Sequence, residues 1–466
     1  MRKTKIVATI GPASREYSVM KKMVEAGLNI IRLNLSHSST EGMGDIVDNV
    51  KRIRKELNVP LPIMVDTRGP EIRVKTFEDG STTIKKGQTF IFTGRNIVGD
   101  NSQVAISMPS VISSLKAGDK ILACDGLITF KIEEIKGKDI ITKAQNSGVI
   151  SNRKSLFIPG VKLKTNYLNE SDKKDLLWAI KNDADLVAAS FVNSKHDVQV
   201  LRDFIVKNGG NMKIISKIES QCGVDNIDEI IEVSDGIMVA RGDLGVEVPM
   251  PKLPEYQKQI IKKSVSKCKP VITATEMLES MINNRRPTRA EISDVANAVY
   301  DGTSCVMLSG ETAMGKFPVD AIRTMAEVAM ETEQHLNHHL DGTEIEKLEV
   351  SEIVAHSAVS ASLIDNVKAI VTYTDTGLSA GLISHFRPGV DIIGATPNEK
   401  VYRQLELMWG IKPMLTKVFK STEEMFENAK VLAKASKVAK TKDTIIITCG
   451  EEKHKGATNL IKISEI

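Results

Sequence analysis

A short apolar run followed by a polar or glycine-containing turn recurs along this chain, and this repeat constrains the fold more than any other feature. Three such runs lie in residues 1–70 and five lie between residues 185 and 312. They read KIVATIGPAS, NIIRLNLSHSS, LPIMVDTRGP, DLVAASFV, MKIISKIES, GIMVARGD, PVITATEM and CVMLSGET. Segments of helical length follow them, so the pattern predicts parallel strands joined by right-handed crossovers. Eight such units over about 240 residues are typical of a TIM barrel, whereas a doubly wound open sheet normally uses fewer consecutive units.

The repeat is interrupted between residues 71 and 167, where the pattern changes to that of β-strands. Alternating Ile, Thr and Phe residues fill stretches such as STTIKKGQTFIFTG, and Asp125-Gly126 is a typical tight-turn pair. This pattern predicts an all-β insertion, most simply a small barrel. The TIM barrel would then be discontinuous and formed by residues 1–70 and 168–335.

A third unit follows a His-rich stretch at residues 333–347, which we interpret as a linker. Residues 350–466 contain one helical pattern, VSEIVAHSAVSASLI, and three apolar runs, AIVTY, DIIGAT and TIIIT. This combination predicts a C-terminal α/β domain. Hydrophobic residues make up 41% of the chain but aromatic residues only 4%, so the cores must be largely aliphatic, which suits parallel strands under helices.

Charge and cysteine usage argue against several classes of protein. The chain has 63 Lys and Arg against 59 Asp and Glu, a net charge of +4 that is too small to indicate a nucleic-acid or polybasic membrane partner. Its five cysteines are scattered without a CxxC pair, which is typical of a reducing compartment. The chain has no apolar run of the roughly 18 residues that span a bilayer, and its first apolar run is too short for a signal peptide. We therefore expect a cytoplasmic protein.

Polar side chains collect at the carboxyl ends of the predicted barrel strands, where TIM-barrel enzymes have their active sites. The set comprises Arg32, Asn34, Ser36, His37, Asp66, Thr67, Arg68, Ser190, Lys217, Glu219, Arg241, Gly242, Asp243, Thr275, Glu276, Ser309 and Glu311. Charges are costly beside a packed core unless they pair or bind a ligand. Their concentration at one end of the barrel therefore predicts a binding or catalytic site.

Within this set, Glu219 and Asp243 come from adjacent strands and could hold Mg²⁺ or Mn²⁺ while leaving positions for water and substrate oxygens. Ion pairing with Lys217 and Arg241 is an equally good interpretation of the same residues. Arg32 and Lys217 could supply positive charge for a phosphate or carboxylate group.

Glycine-containing segments were considered as ligand-binding loops. Residues 310–316, GETAMGK, fit the first part of a P-loop, but Phe317 and Pro318 follow where a hydroxyl residue and a helix start are required. We therefore reject a Walker A loop. Gly242 could let a ligand approach backbone N–H groups, although a plain strand-to-loop turn would also use glycine.

Several segments resemble motifs of the pyruvate kinase family. They are TKIVATIGPAS, NIIRLNLSHSS, VDTRGPEIR, IISKIES, DGIMVARGDLGVEVP and the stretch from TATEMLES to SGETAMGKFP, in this order. The resemblance implies a TIM barrel with a β-barrel lid domain over residues 71–167, followed by an effector and interface domain over residues 350–466. It also implies a glycolytic enzyme that transfers the phosphoryl group of phosphoenolpyruvate to ADP, giving pyruvate and ATP.

The resemblance further implies roles for individual residues. Arg32 and Lys217 would contact the transferring phosphoryl group, and Thr275 is similar to a residue implicated in proton delivery to the enolate. The implied substrate-binding residues are Arg32, Lys217, Ala240, Arg241, Gly242, Asp243 and Thr275. The remaining implied roles are divalent-metal binding by Glu219 and Asp243, potassium binding by Asn34, Ser36, Asp66 and Thr67, and nucleotide binding by Asn34, His37 and Arg73.

The implied cofactors are Mg²⁺ or Mn²⁺ together with K⁺. Family members that are independent of potassium carry Lys where this chain has Glu71, because the ammonium group replaces the ion. The family also implies a homotetramer, with phosphoenolpyruvate, pyruvate, ADP and ATP as ligands and no nucleic-acid or membrane partner.

In the family a basic pair often follows the Ser-Phe of strand four. Here that segment reads Ser190-Phe191-Val192-Asn193-Ser194-Lys195, which leaves a nucleotide contact there open.

A candidate effector loop lies at Thr374, Thr376, Gly377 and Ser379, between a predicted strand and a helix. Hydroxyls and N–H groups at a helix N-terminus can bind phosphate, although ordinary N-capping by Thr376 explains the same pattern. The matching loop of fructose-bisphosphate-regulated animal enzymes has Lys and Arg where this chain has Asp375 and Leu378, and the partner loop at 450–459 lacks the family's Trp. We therefore expect a weakened or different effector, such as a sugar monophosphate, or none.

Two other classes of function compete with this interpretation. A Mg-dependent lyase or aldolase acting on pyruvate enolate would also pair Glu and Asp around its metal, but it needs neither the β insertion nor ADP. A non-catalytic metabolite-binding scaffold predicts loss of Lys217, Glu219, Asp243 or Thr275, all of which are present.

Overall fold

The structure is a computed structural model that describes residues 2–35, 42–161, 167–336, 349–450 and 458–466. Its first elements are β1 (Lys5–Thr9), α1 (Tyr17–Glu25), β2 (Ile30–Asn34), α2 (Gly44–Leu57) and β3 (Ile63–Asp66). Left-handed residues follow both helices: Gly27 has φ +117° after α1, and Asn58 has φ 52° after α2. Glycine and asparagine adopt this conformation most readily, so each helix ends where the sequence supplies one.

The chain then forms the predicted all-β insertion, which the structure confirms. Its strands are β4 (Ile72–Arg73), β5 (Ser81–Ile84), β6 (Thr89–Thr93), β7 (Gln103–Ala105), β8 (Lys120–Ala123), β9 (Ile128–Lys136), β10 (Asp139–Ala144), β11 (Gly148–Ser151) and β12 (Ser155–Phe157). Seven strands form one sheet in the order β4-β12-β8-β9-β10-β6-β7, while β5 pairs with β11. Val74, just after β4, and Ile106, just after β7, form an isolated bridge between the two edges. The sheet thus curls into a half-barrel around an aromatic core of Phe90, Phe92 and Phe130.

The remaining barrel strands follow the insertion. They are β13 (Leu186–Ala189), β14 (Lys213–Ile218), β15 (Gly236–Ala240), β16 (Val271–Ala274) and β17 (Cys305–Leu308). The helices are α3 (Glu170–Lys181), α4 (Lys195–Lys207), α5 (Gln221–Asp225), α6 (Ile227–Val233), α7 (Arg241–Glu247), α8 (Leu253–Ser266), α9 (Arg289–Tyr300), α10 (Gly310–Ala313) and α11 (Pro318–Glu333). The eight strands close in the order β1-β17-β16-β15-β14-β13-β3-β2, which confirms the predicted TIM barrel. Because neighbouring strands are parallel, all their carboxyl ends lie at one end of the barrel, here called the mouth.

The C-terminal α/β domain contains a sheet in the order β20-β19-β18-β21-β22. Its elements are α12 (Val350–Ala361), β18 (Val367–Tyr373), α13 (Leu378–His385), β19 (Asp391–Thr396), α14 (Glu399–Gln404), β20 (Ile411–Leu415), α15 (Thr422–Ala435), β21 (Thr444–Cys449) and β22 (Leu460–Glu465). The predicted α12 and three strands are confirmed. The sequence interpretation missed both edge strands, β20 and β22. Pro413 argues against a strand in β20, whereas β22 (LIKISE) mixes apolar with polar residues and is mostly exposed.

The C-terminal domain docks on the barrel end opposite to the mouth. Asp185, fully buried just before β13, accepts hydrogen bonds from Arg54 Nη2 at 2.9 Å and from Arg403 Nε at 2.6 Å. Lys5 at the start of β1 donates to Ile411 O at 2.6 Å. These contacts leave the mouth open to ligands. Among the residues that the structure describes, no helix is both long and apolar enough to cross a membrane.

Candidate active site

The centre of the mouth is a buried network of charged side chains. Asp66, the last residue of β3, is 1% exposed. Arg32 donates to its Oδ2 through Nε and Nη2, both at 2.7 Å, and Lys217 Nζ lies 3.1 Å from its Oδ1. Lys217 Nζ also lies 2.9 Å from Glu219 Oε1 and donates to Ser190 Oγ at 2.7 Å. The fold therefore brings predicted site residues from four strands, β2, β3, β13 and β14, into direct contact.

The charges of this network set its protonation states. Burial opposes ionisation of Lys217, but the neighbouring carboxylates of Asp66 and Glu219 outweigh it and raise the pKa of the ammonium group. Burial also opposes ionisation of Asp66, but the positive charges of Arg32 and Lys217 outweigh this effect and lower the pKa of its carboxyl group. Lys217 therefore stays a cation and Asp66 an anion at neutral pH. Such fixed charge, in place before a ligand binds, is what electrostatic catalysis requires.

Glu219 and Asp243 form a pair of buried acids beside this network. The carboxyl group of Asp243, in the first turn of α7, hydrogen-bonds that of Glu219. Burial, together with the charge of Glu219, raises the pKa of Asp243, because the two carboxyl groups repel each other when both are ionised. A hard divalent cation would relieve this repulsion, since Mg²⁺ is usually bound by one or two carboxylates plus water and substrate oxygens. Among the residues that the structure describes, no group of three or more His, Cys, Asp or Glu side chains is placed to hold a metal ion.

Thr275, directly after β16, contacts the turn that follows the neighbouring strand β15. Gly242 N donates to Thr275 Oγ1 at 2.8 Å. Thr275 and Glu276 both have left-handed backbones, with φ of 67° and 54°. Non-glycine residues in this region cost roughly 1–3 kcal/mol each and cluster at functional sites. The strain agrees with a functional role for the end of β16, although Cys124 and Asp125 form a second pair of this kind in the insertion.

Arg241 is positioned differently from what its place in the sequence suggested. Its Nη2 donates to the carbonyl oxygen of Thr275 at 2.6 Å, and its Nη1 donates to Asp294 Oδ1 on α9 at 2.8 Å. The guanidinium group thus holds the strained backbone of Thr275 and does not pair with Glu219 or Asp243. The ion-pair interpretation of the two acids therefore holds for Lys217 and Glu219 and is wrong for Arg241, because Asp294 provides its carboxylate partner.

The other predicted potassium and nucleotide residues surround β2 and β3. Asn34 ends β2, and Thr67 follows Asp66, with its carbonyl oxygen accepting from Ser190 Oγ at 2.7 Å. Ala240 ends β15 directly before the turn that carries Gly242. Ser36 and His37 lie outside the residues that the structure describes.

A cavity of about 600 Å³ opens between the barrel and the insertion, next to the mouth. Four basic residues line it, Arg68, Arg73, Lys75 and Arg153, against one acid, Glu71. Arg73 pairs with Glu71 at 2.8 Å and donates to Arg153 O at 3.1 Å. Sequence reasoning identified Arg73 but missed Lys75 and Arg153, which lie 78 positions apart and meet only because β12 pairs with β4.

The candidate effector loop follows β18 in the C-terminal domain. Thr374 Oγ1 accepts from Gly377 N at 2.9 Å, and the hydroxyl groups of Ser379 and Thr458 are hydrogen-bonded. Gly377, with φ +93°, occupies the N-cap position of α13. The hydroxyl of Thr376, one residue earlier, accepts from Leu378 N at 3.5 Å, so Thr376 contacts the helix N-terminus without being the N-cap residue. Most of the partner loop, residues 451–457, lies outside the described residues.

Comparison with known proteins identifies the family. Residues 1–322 match the family described as "Pyruvate kinase, barrel domain", and residues 352–464 match "Pyruvate kinase, alpha/beta domain". The chain belongs to the pyruvate kinase family. A pyruvate kinase of Clostridium acetobutylicum is 41% identical over 472 residues, and one of Clostridium perfringens is 42% identical over 474 residues; both matches cover 100% of each chain. A solved structure of a pyruvate kinase from Cryptosporidium parvum matches with a TM-score of 0.95 and 38% identity, covering 100% of this chain and 96% of that one.

Membership of the pyruvate kinase family identifies the reaction. The chain is a glycolytic phosphotransferase that converts phosphoenolpyruvate and ADP to pyruvate and ATP. A lyase or aldolase is not favoured, since the whole chain, including the β insertion, matches pyruvate kinases. Dependence on a divalent metal and on potassium is general in this family.

Proposed function

We propose that the buried network at the mouth holds and neutralises the phosphoryl group during its transfer. Phosphoryl transfer asks a protein mainly to position two anions and to stabilise the charge that spreads over the moving group. Arg32, held by Asp66 through Nε and Nη2 and by Thr9 through Nη1, would direct its fixed positive charge at the phosphoryl oxygens. The observation that carries the proposal is Lys217, whose buried ammonium group is fixed by Asp66, Ser190 and Glu219.

Glu219 and Asp243 would hold Mg²⁺ or Mn²⁺. The mutual repulsion of the two carboxyl groups, which raises the pKa of Asp243, favours a cation between them, and oxygen ligands suit these hard ions. When bound, the ion would neutralise phosphoryl and enolate oxygens as a Lewis acid.

Asn34, Ser36, Asp66 and Thr67 would hold K⁺. Asp66 and Thr67 are adjacent at the end of β3, and all four side chains offer oxygen donors, which suits a hard cation. Glu71 supports this proposal, because it leaves no lysine at the position where an ammonium group would replace the ion.

The cavity beside the mouth would receive the phosphates of ADP. Its four basic residues give an excess of positive charge, and Arg73 is the member that the sequence had already indicated. Asn34 and His37 would complete the nucleotide side from the β2 loop. The cavity and the Lys217 network both border the end of β3, since Arg68 and Gly69 line the cavity and Lys217 contacts Asp66. This proximity supports phosphoryl transfer from the Lys217 network to a nucleotide in the cavity.

Thr275 would serve the second half of the reaction, protonation of the enolate of pyruvate. Its hydroxyl lies between Gly242 N, which donates to it, and Ala274 O, which accepts from it at 2.6 Å. Arg241 keeps the backbone of Thr275 in place. The turn from Ala240 to Asp243 would hold the substrate carboxylate through its backbone.

A lactate-dehydrogenase-coupled assay with phosphoenolpyruvate, ADP, Mg²⁺ and K⁺ tests this proposal. We expect pyruvate formation that requires all four components. Pyruvate released without ADP would favour the lyase, and no turnover in their presence would favour the scaffold.

We also propose a cytoplasmic homotetramer. Apolar side chains stay exposed on α12 and β22, including Val350, Ile353, Ile461 and Ile463, which supports a subunit contact through the C-terminal domain. Size-exclusion chromatography with light scattering tests the assembly, and a monomer would contradict it.

A further inference from the structure

Asp172 is a buried carboxylate that does not belong to the predicted site. It contacts the loop after β3, which carries the site residues Asp66 and Thr67. The residue lies in the first turn of α3 and is 1% exposed. Its Oδ1 accepts from Arg68 N at 2.9 Å, and its Oδ2 accepts from Gly69 N at 3.1 Å. Asn169 Nδ2 donates to the same Oδ2 at 2.7 Å. Asp172 thus binds two consecutive peptide groups directly after Asp66 and Thr67.

The segment that Asp172 holds packs against the catalytic network. Gly69 has φ +65°, and a Cβ at this position would lie 2.7 Å from Ser190 O, so the turn fits only as glycine. Ser190 in turn hydrogen-bonds Thr67 O and Lys217 Nζ, each at 2.7 Å. A shift of the Arg68–Gly69 peptides would therefore displace the groups that orient the Lys217 ammonium group.

The same contacts join both connections of the β insertion. The outgoing chain leaves the barrel at Gly69, and the returning chain enters α3 through Tyr167 and Asn169. Asn169 Nδ2 donates to Gly69 O at 3.3 Å, and Tyr167 Oη donates to Ser190 O at 2.9 Å. Asp172 therefore lies where the position of the insertion and the position of the catalytic loop are fixed together.

We propose that Asp172 is a positioning residue for phosphoryl transfer, acting through the Arg68–Gly69 peptides on Asp66, Thr67 and Lys217. The inference rests on the proposed roles of Asp66 and Lys217. A carboxylate suits this task because each of its oxygens accepts, so it holds two successive N–H groups at once. Helix capping alone does not require it, since the α3 N-terminus is capped by Asn169, whose Oδ1 accepts from Asp172 N at 2.8 Å.

Burial also makes this carboxylate costly to keep. It raises the pKa of Asp172 to about 6, although the N–H groups of Arg68 and Gly69 act in the opposite direction. An amide of the same shape would avoid this cost. An asparagine, however, presents one acceptor oxygen and one NH₂ group. The NH₂ group would face donors in either orientation: Arg68 N at the position of Oδ1, or Gly69 N together with Asn169 Nδ2 at the position of Oδ2.

The test is the Asp172→Asn variant, with Glu170→Gln as the matched control. Glu170 lies in the same turn of α3 but is fully exposed, so its substitution removes an equal charge without touching the loop. We expect Asp172→Asn to lower kcat about tenfold and to raise the K⁺ concentration for half-maximal activation several-fold, because small displacements of catalytic groups are expensive. Glu170→Gln should leave both values at those of the parent enzyme. Unchanged kcat and K⁺ activation in Asp172→Asn, with only a lower unfolding temperature, would overturn the proposal.

A milder variant covers the case in which Asp172→Asn does not fold. Asn169→Ser keeps an N-cap for α3 but removes the amide that contacts Asp172 and Gly69 O. It should raise the half-maximal K⁺ concentration about twofold, whereas a purely structural role predicts no change. Lys217→Met, measured in parallel, separates the two proposals. If Lys217→Met stays active, the proposed role of Lys217 fails; if it is inactive while Asp172→Asn and Asn169→Ser behave as the parent, only the Asp172 inference fails.

Discussion

The barrel mouth and the candidate effector loop are both strand-to-helix junctions, but they have different chemistry. At the mouth, β15 runs into α7, and the buried cations Arg32, on β2, and Lys217, on β14, lie at the same end of the barrel. In the C-terminal domain, β18 runs into α13 through Thr374 to Ser379, where the charged side chain of the loop is Asp375. The same α/β geometry thus gives a charged, preorganised site in one place and a hydroxyl-lined turn in the other. The fold thus determines where a site can form, at the junction of a strand and a helix, whereas the buried charges determine which ligands the site can bind.

The largest effect should follow removal of the central cation of the mouth. We expect Lys217→Met to lower kcat on the order of 10³-fold, because the charge that develops in the transition state loses its preorganised partner. The coupled assay measures kcat, and circular dichroism checks that the variant is folded.

Lys5→Met provides a control at the opposite end of the barrel. Lys5 is also buried, and it lies 3.4 Å from Glu406 in the docking interface. Its substitution should lower the free energy of unfolding by about 3–5 kcal/mol with kcat close to that of the parent. If both variants lost equal activity, the role of Lys217 would reduce to stability.

Potassium should have the next largest effect. Replacing K⁺ with tetramethylammonium at constant ionic strength should lower activity by about tenfold or more, because a bulky cation cannot approach Asp66 and Thr67 to complete charge neutralisation. Initial rates at saturating substrates and Mg²⁺ measure this. Full activity without K⁺ would contradict the proposed site.

A smaller effect is expected in the basic cavity beside the mouth, which Arg153 lines. Arg153→Gln should raise the KM for ADP about fivefold with little change in kcat, because an exposed cation contributes roughly 1 kcal/mol to binding. Arg95→Gln is the matched control, since Arg95 lies in the same insertion but pairs with Asp139 at 3.0 Å. Equal KM values in the two variants would show that the basic cavity does not bind the nucleotide.

The sequence was sufficient for the barrel because each strand is an uninterrupted aliphatic run, as required of strands buried on both faces. It was insufficient for β20, where Pro413 is tolerated only because the strand lies at the sheet edge. Residue types at strand ends also predicted where the site lies. They could not predict the direction of a side chain, because the partners that orient it come from distant segments.

Arg241 and Asp172 illustrate this limit. Arg241 is adjacent to Gly242 and Asp243 in sequence. Its guanidinium group nevertheless pairs with Asp294 on α9 and not with Asp243. Asp172 lies about 100 positions from Arg68 and Gly69, and the long insertion hides their contact from any reading of local pattern.

The smallest effect is expected at the effector loop, and it tests the comparison most directly. A bisphosphate needs cations or several free donors, but Thr374 and Ser379 are hydrogen-bonded within the protein and Asp375 would repel a phosphate. At sub-saturating phosphoenolpyruvate, fructose 1,6-bisphosphate should therefore change the rate less than about twofold. Glucose 6-phosphate and AMP, titrated in the same assay, test for a monophosphate effector.

Asp375→Lys should increase the response to fructose 1,6-bisphosphate, since it converts repulsion into attraction at unchanged backbone geometry. Strong activation of the parent enzyme by fructose 1,6-bisphosphate would mean that hydroxyl and N–H groups suffice for the bisphosphate, and that buried charge is not what separates the two junctions.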